Sequence, residues 1–217
     1  TIYGLEICRN HIINCLRKAF DQSMYDEATL GYRAFGGMIL RSCEKVCILE
    51  NKIERSGTRH TDPVCGIFIY YASEIQIAQN YISDNGPFRE EGDFRMGTRG
   101  GIVLILVYGI VTPKATSSLP TGDYAVLVHN NVVKQPAGLA FNFLGVGLVS
   151  VINNYLQSDF LDPLAVFPTA ATTRSRVGCV KILNLAPFRG GTTFTNNKIR
   201  CNSTNECSIC QLIGSLK

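Results

Sequence analysis

At 217 residues, 46 % of them hydrophobic and 18 % charged, the chain is long enough to bury a large core and too apolar to be a disordered tail. A net charge of +4, spread over scattered basic residues, leaves no segment that reads as a nucleic-acid footprint. The most apolar window, Gly100 to Val111, is far shorter than the roughly 20 residues needed to cross a bilayer, so no membrane span is expected.

The first element carries a pattern that the rest of the chain repeats. Leu5, Ile7, Asn10 and Ile12 spell φ-x-φ-x-x-Asn-x-φ, where φ is apolar. The pattern returns as Val46, Ile48, Asn51, Ile53 and as Ile75, Ile77, Asn80, Ile82. Further on it reads Val126, Val128, Asn131, Val133, then Val149, Val151, Asn154, Leu156, and last Thr192, Phe194, Asn197, Ile199. Successive copies lie 41, 29, 51, 23 and 43 residues apart. A constant unit with variable insertions is the mark of a solenoid whose loops emerge on one side.

Apolar residues two apart face one side of a pleated strand, and the β-branched Ile and Val suit that geometry. The Asn interrupts the run where a bend is needed. Asparagine tolerates left-handed backbone and hydrogen-bonds through its side chain, so it fits a tight corner between two strands. Stacked on equivalent corners, Asn10, Asn51, Asn80, Asn131, Asn154 and Asn197 are expected to form an amide ladder, each side chain donating to the next rung.

A weaker, Gly-opened stretch precedes several copies: Gly37-Met38-Ile39-Leu40, Gly66-Ile67-Phe68-Ile69 and Gly138-Leu139-Ala140-Phe141. Gly101 to Val107, Arg176 to Leu185 and Cys207 to Ile213 read as further first strands. Each rung is thus expected to hold three strands, and the whole chain one all-β domain of about six to seven rungs. Insertions at Arg17 to Phe35, Thr112 to Asp123 and Gln157 to Arg176 are long enough to cover a face, and residues 17 to 28 suit a short helix.

These repeats resemble the right-handed parallel β-helix proteins, a pectate-lyase-like superfamily with polygalacturonases, phage tailspikes and many bacterial surface proteins of no known activity. Val46-Cys47-Ile48-Leu49-Glu50-Asn51-Lys52-Ile53 and Ile75-Gln76-Ile77-Ala78-Gln79-Asn80-Tyr81-Ile82 carry the likeness best. Gly190-Gly191-Thr192-Thr193-Phe194-Thr195-Asn196-Asn197 is similar to a segment of the long bacterial members. The resemblance covers most of the chain and implies a right-handed parallel β-helix, with an extracellular or cell-surface setting. It specifies fold rather than chemistry. The Asn-Thr-Asp, Gly-His-Gly and Arg-Ile-Lys signatures of polygalacturonases and the Asp-Pro-His-Glu signature of alginate epimerases do not occur.

For chemistry, the densest charge lies in Asp84-Asn85-Gly86-Pro87-Phe88-Arg89-Glu90-Glu91-Gly92-Asp93-Phe94-Arg95, followed by Arg99. With Arg59, His60 and Asp62 from the loop one rung earlier, Asp84, Arg89, Glu90, Asp93 and Arg95 are candidates to line a ligand groove. Glycosidases need two carboxyl groups about 5 to 10 Å apart, and lyases of this superfamily pair Ca²⁺-binding acids with a basic residue. The plainer reading is a solvated loop with local ion pairs. His11, His60 and His129 are each isolated in sequence, and His129 adjoins the Asn130-Asn131 corner.

Cys207-x-x-Cys210 has metal-ligand spacing but no second pair, and alternation along a strand turns its two thiols to opposite faces. No metal or cofactor is expected. Cys8, Cys47, Cys65 and Cys179 read as small core hydrophobes. Cys15 and Cys201 each follow an asparagine corner, Asn10 and Asn197, as stacked small residues or a disulfide. Phe68, Tyr70, Tyr71 and Tyr81 form the one aromatic cluster suited to stacking on sugar, though alternation turns some of them inward.

The first rung lacks its opening strand and the last its Asn corner, so the chain reads as a piece of a longer solenoid or a unit of an end-to-end assembly. The sequence supports a non-catalytic β-helical scaffold or binding segment of a larger bacterial protein, presenting one flank to carbohydrate or protein. The alternatives are a polysaccharide lyase or hydrolase with a groove between the two charged loops, and a structural spacer.

Overall fold

A computed structural model describes residues 1–18, 34–59, 62–88, 97–109, 124–160, 177–185, 191–202 and 208–213. All regular structure among the described residues is β-strand. The strands are β1 (Ile2–Tyr3), β2 (Glu6–Cys8), β3 (His11–Ile13), β4 (Phe35–Leu49), β5 (Lys52–Glu54) and β6 (Val64–Ala78). They continue as β7 (Tyr81–Ser83), β8 (Gly100–Tyr108), β9 (Val126–His129), β10 (Val132–Ala137), β11 (Leu139–Val146) and β12 (Val149–Ile152). The last are β13 (Tyr155–Phe160), β14 (Val177–Asn184), β15 (Thr192–Thr195), β16 (Lys198–Cys201) and β17 (Ser208–Ile213).

The strands form two sheets in which the paired strands run parallel. An eleven-stranded sheet follows the path β15-β12-β9-β6-β8-β11-β14-β17, with β4 joining β6 to β1 and β2. The six-stranded sheet has the order β16-β13-β10-β7-β5-β3. In the six-stranded sheet each strand pairs with its equivalent from the neighbouring copies of the repeat: His11 opposite Lys52, Lys52 opposite Tyr81, Tyr81 opposite Val132, Val132 opposite Tyr155, and Tyr155 opposite Lys198.

One residue further along, Ile53, Ile82, Val133 and Leu156 stack in a fully buried column, because the pleat turns that position inward at every strand. Opposite it lie Val46, Ile48, Ile75, Ile77, Val126, Val128, Val149 and Val151 of the φ-x-φ stretches, all in the same core. Parallel strands buried on their inner side favour such Ile and Val runs.

The Gly-opened and φ-x-φ stretches, expected as separate strands, run together in β4 and β6. These two pair along their whole length, from Phe35 opposite Val64 to Leu49 opposite Ala78. The chain turns within each strand through left-handed residues, Ser42 and Lys45 in β4 and Tyr71 and Glu74 in β6. In the next repeat β8 and β9 are separate, with residues 110–123 between them.

The glycines of the opening stretch meet a packing demand. A Cβ on Gly37 would lie 2.2 Å from the Ile53 side chain and 2.6 Å from the Gly66 carbonyl. On Gly66 it would lie 2.3 Å from Ile82, and on Gly101 2.2 Å from Val133. The register places Ala140 next in this column, so Gly138 is not the equivalent glycine; it sits two residues earlier, in a left-handed turn. Most of the expected helix over 17–28 lies outside the described residues.

Candidate binding face

The six asparagines meet at one corner. Nδ2 of Asn10 donates to Oδ1 of Asn51 at 3.0 Å, and the same bond runs from Asn51 to Asn80, Asn80 to Asn131, Asn131 to Asn154 and Asn154 to Asn197 at 2.9 to 3.0 Å. Each Oδ1 also accepts the backbone N–H of the asparagine before it in the stack. Each Nδ2 from Asn51 to Asn154 is further shared with the carbonyl two residues back in its own chain and with one in the neighbouring copy. Asn51, Asn80, Asn131 and Asn154 are buried, and full hydrogen bonding offsets the cost of burying their amides.

The left-handed backbone expected of these asparagines belongs to the residue before each. Arg9, Glu50, Gln79, Asn130, Asn153 and Asn196 have φ between 53° and 57°. The doublets Asn130-Asn131, Asn153-Asn154 and Asn196-Asn197 therefore divide the work, the first taking the strained turn and the second the ladder.

A second polar corner lies where β5 and β7 end, beside Gln135 of β10. Asn85 Oδ1 accepts from the Ser56 backbone at 3.2 Å, its Nδ2 donates to the Ile53 carbonyl at 3.1 Å, and Gln135 Nε2 donates to the Asn85 and Ala137 carbonyls. Oγ of Ser56 and Oε1 of Gln135 are buried without a partner.

Three residues of the charged-loop site expected from sequence, Arg59, Asp62 and Asp84, are among the described residues. Asp62 is fully buried, Arg59 is exposed, and Asp84 is half-buried at a left-handed corner where its N–H bonds the Lys134 carbonyl at 3.0 Å. His60, Arg89, Glu90, Asp93 and Arg95 lie outside the described residues. Among the described residues no group of three or more His, Cys, Asp or Glu is placed to hold a metal ion, and no helix is long and apolar enough to cross a membrane.

The cysteines that follow the Asn10 and Asn197 corners, Cys15 and Cys201, are free thiols, as are Cys8, Cys43 and Cys47. The buried Cys65 and Cys179 donate S–H to the Thr98 and Leu156 carbonyls. Burial raises the Cys43 and Cys47 thiols above their ordinary pKa, which keeps them protonated and unreactive. His129 shares hydrogen bonds with Gln76 and Asn130, and burial lowers its pKa, favouring the neutral ring.

The aromatic cluster is split, with Phe68 and Tyr70 packed in one outer group and Tyr71 and Tyr81 apart from it. Phe68 faces away from the core but is buried with Val103 and Ile105, while Tyr71 is exposed and packs on Tyr108 at 5.6 Å. Tyr81 lies on the other sheet, and there it gains company that the cluster did not include.

On the outer face of the six-stranded sheet, His11, Lys52, Tyr81, Val132, Tyr155 and Lys198 form one column, none of them buried. The column two residues on reads Ile13, Glu54, Ser83, Lys134, Gln157 and Arg200. Lys134 Nζ sits over the Tyr81 ring at 5.7 Å and Lys198 Nζ over Tyr155 at 5.7 Å. The Tyr155 hydroxyl donates to Gln157 at 2.8 Å, Gln157 to Asp159 at 2.9 Å, Asn202 to Asp159 at 2.8 Å and Arg200 to Asn202 at 3.0 Å.

At the other end of the face, Glu54 accepts from Lys52 at 3.0 Å, His11 at 3.2 Å and Arg55 at 3.3 Å. Partial burial alone would raise the Glu54 pKa, but the Lys52 and His11 hydrogen bonds and the neighbouring cations hold it below the usual range. Sequence reasoning missed this face because it compared whole copies of the repeat. Aligning only the variable residue after each Asn reads out His11, Lys52, Tyr81, Val132, Tyr155 and Lys198 directly.

No protein-family model matches the chain, and neither a curated protein nor a solved structure matches it.

Proposed function

We propose that the chain is a right-handed parallel β-helix with three strands per rung, related to the superfamily its repeats resemble, and that it serves as a non-catalytic scaffold presenting one flank to carbohydrate or protein. The observation that carries this reading is the amide ladder, which links all six repeats in an unbroken series from Asn10 to Asn197. A right-handed crossover is the rule for parallel strands joined within one sheet. A rigid stack of this kind holds its outer columns at constant spacing, which suits recognition of a repeating ligand.

The test is a glycan-array and polysaccharide-degradation screen of the purified chain, run with and without Ca²⁺. Binding without new reducing or unsaturated ends is expected. Product formation that disappears with Asp84→Asn would make the protein a lyase or hydrolase and overturn the reading.

A further inference from the structure

We propose that the outer face of the six-stranded sheet binds an extended, acidic, β-linked polysaccharide along the stacking direction, with Tyr81 and Tyr155 as its two platforms. This rests on the binding-flank reading above and names the ligand class and the residues.

Tyr81 and Tyr155 lie in one column with Val132 between them. Neighbouring strands are spaced by about 4.8 Å, so the two rings stand about 9.6 Å apart along the stack. That is the length of one disaccharide unit in an extended β-linked chain, whose two-fold screw presents the same sugar face at every second ring. Both platforms would then meet equivalent faces, and the half-exposed Val132 between them supplies an apolar floor.

Charge selects an acidic chain over a neutral one. Lys134, Lys198 and Arg200 project from these two columns, against Glu54, which is paired with Lys52, and Asp159 on the same face. Both acids are engaged, Glu54 by Lys52, His11 and Arg55, and Asp159 by Gln157 and Asn202. Lys134 Nζ and Lys198 Nζ each lie over one face of a tyrosine ring, so a carboxylate on a sugar that reaches the ring meets an ammonium group beside it.

Calorimetric titration of the whole chain with a β-linked mannuronate hexasaccharide, cellohexaose and polyglutamate tests this. The mannuronate should bind, more weakly as salt rises, and about tenfold or more tighter than uncharged cellohexaose. Tyr81→Ala and Tyr155→Ala should each weaken it about tenfold, while Tyr81→Phe and Tyr155→Phe, which keep the ring, retain it. Lys134→Gln and Lys198→Gln should weaken it less and flatten its salt dependence. Circular dichroism establishes that each variant is folded.

Polyglutamate binding as tightly as the mannuronate would reduce the face to a charge patch and overturn the proposal, as would an absence of mannuronate binding. Glycan binding indifferent to both alanine variants would also overturn it, yet would leave the binding-flank reading standing. Turnover by the native chain would contradict that reading without touching the tyrosine result.

Discussion

The two polar corners of the molecule solve the same problem by different means. At the ladder corner one residue type recurs six times, and each amide completes the hydrogen bonding of its neighbour. At the other corner Ser56, Asn85 and Gln135 share the task, and Ser56 Oγ and Gln135 Oε1 are left without partners. Repetition allows a closed, fully satisfied network, whereas a mixed set of side chains satisfies the backbone and leaves some of its own atoms unmet. The ladder should therefore bear far more of the fold's stability than the mixed corner.

The sharpest way to break this comparison is to cut the ladder at its centre. Asn131→Ala removes the acceptor of the Asn80 N–H and Nδ2 and the donor to Ile77, His129 and Asn154. It should cost about 3 kcal/mol, read from urea unfolding, because buried donors lose their acceptor. Gly66→Ala tests the inner packing that holds both corners apart. A methyl group 2.3 Å from Ile82 and 2.8 Å from the Gly101 carbonyl has to displace backbone, at about 2 kcal/mol.

Gln135→Ala, at the mixed corner, should cost about 1 kcal/mol, since it removes two donated bonds along with an oxygen that had no partner. If it proves as damaging as Asn131→Ala, the contrast between the corners fails. The smallest effect concerns pH at the edge of the six-stranded sheet's outer face. Glu54 is held below the ordinary glutamate pKa in the folded chain, so its contribution is present above the unfolded value of about 4.3 and is lost as pH falls through the lower folded value. Glu54→Gln should accordingly lower the urea midpoint slightly near neutral pH, flatten its fall over that acidic window and leave the midpoint below the window little changed.

Much of the stacked architecture was legible because its causes are local and repeated. Alternating apolar residues such as Ile75 and Ile77 and a constant Asn80 reflect one demand imposed again in every copy, and the Gly37, Gly66 and Gly101 column reflects another in three of them. The merging of two stretches into β4 and β6 was not legible, because left-handed turns at Ser42, Lys45, Tyr71 and Glu74 carry no glycine or asparagine to announce them. Nor was the mixed corner, where Ser56, Asn85 and Gln135 share no residue type.

The candidate binding face lay between these cases. Tyr81 and Tyr155 hold the same place after their asparagines, but Val132 separates them in the stack, and only the strand order shows that two variable positions form one surface. The charged loops drew attention by composition, which does not reveal burial. Asp62 is inside the protein.

The central claim is that the six asparagines stack in the order Asn10, Asn51, Asn80, Asn131, Asn154, Asn197. Nuclear Overhauser contacts between side-chain amide protons, in protein isotope-labelled at asparagine, report that order directly. The account requires contacts between each consecutive pair and none that skip a member. Contacts joining Asn51 to Asn131 directly, or side-chain amides exchanging as fast as those of exposed asparagine, would contradict it.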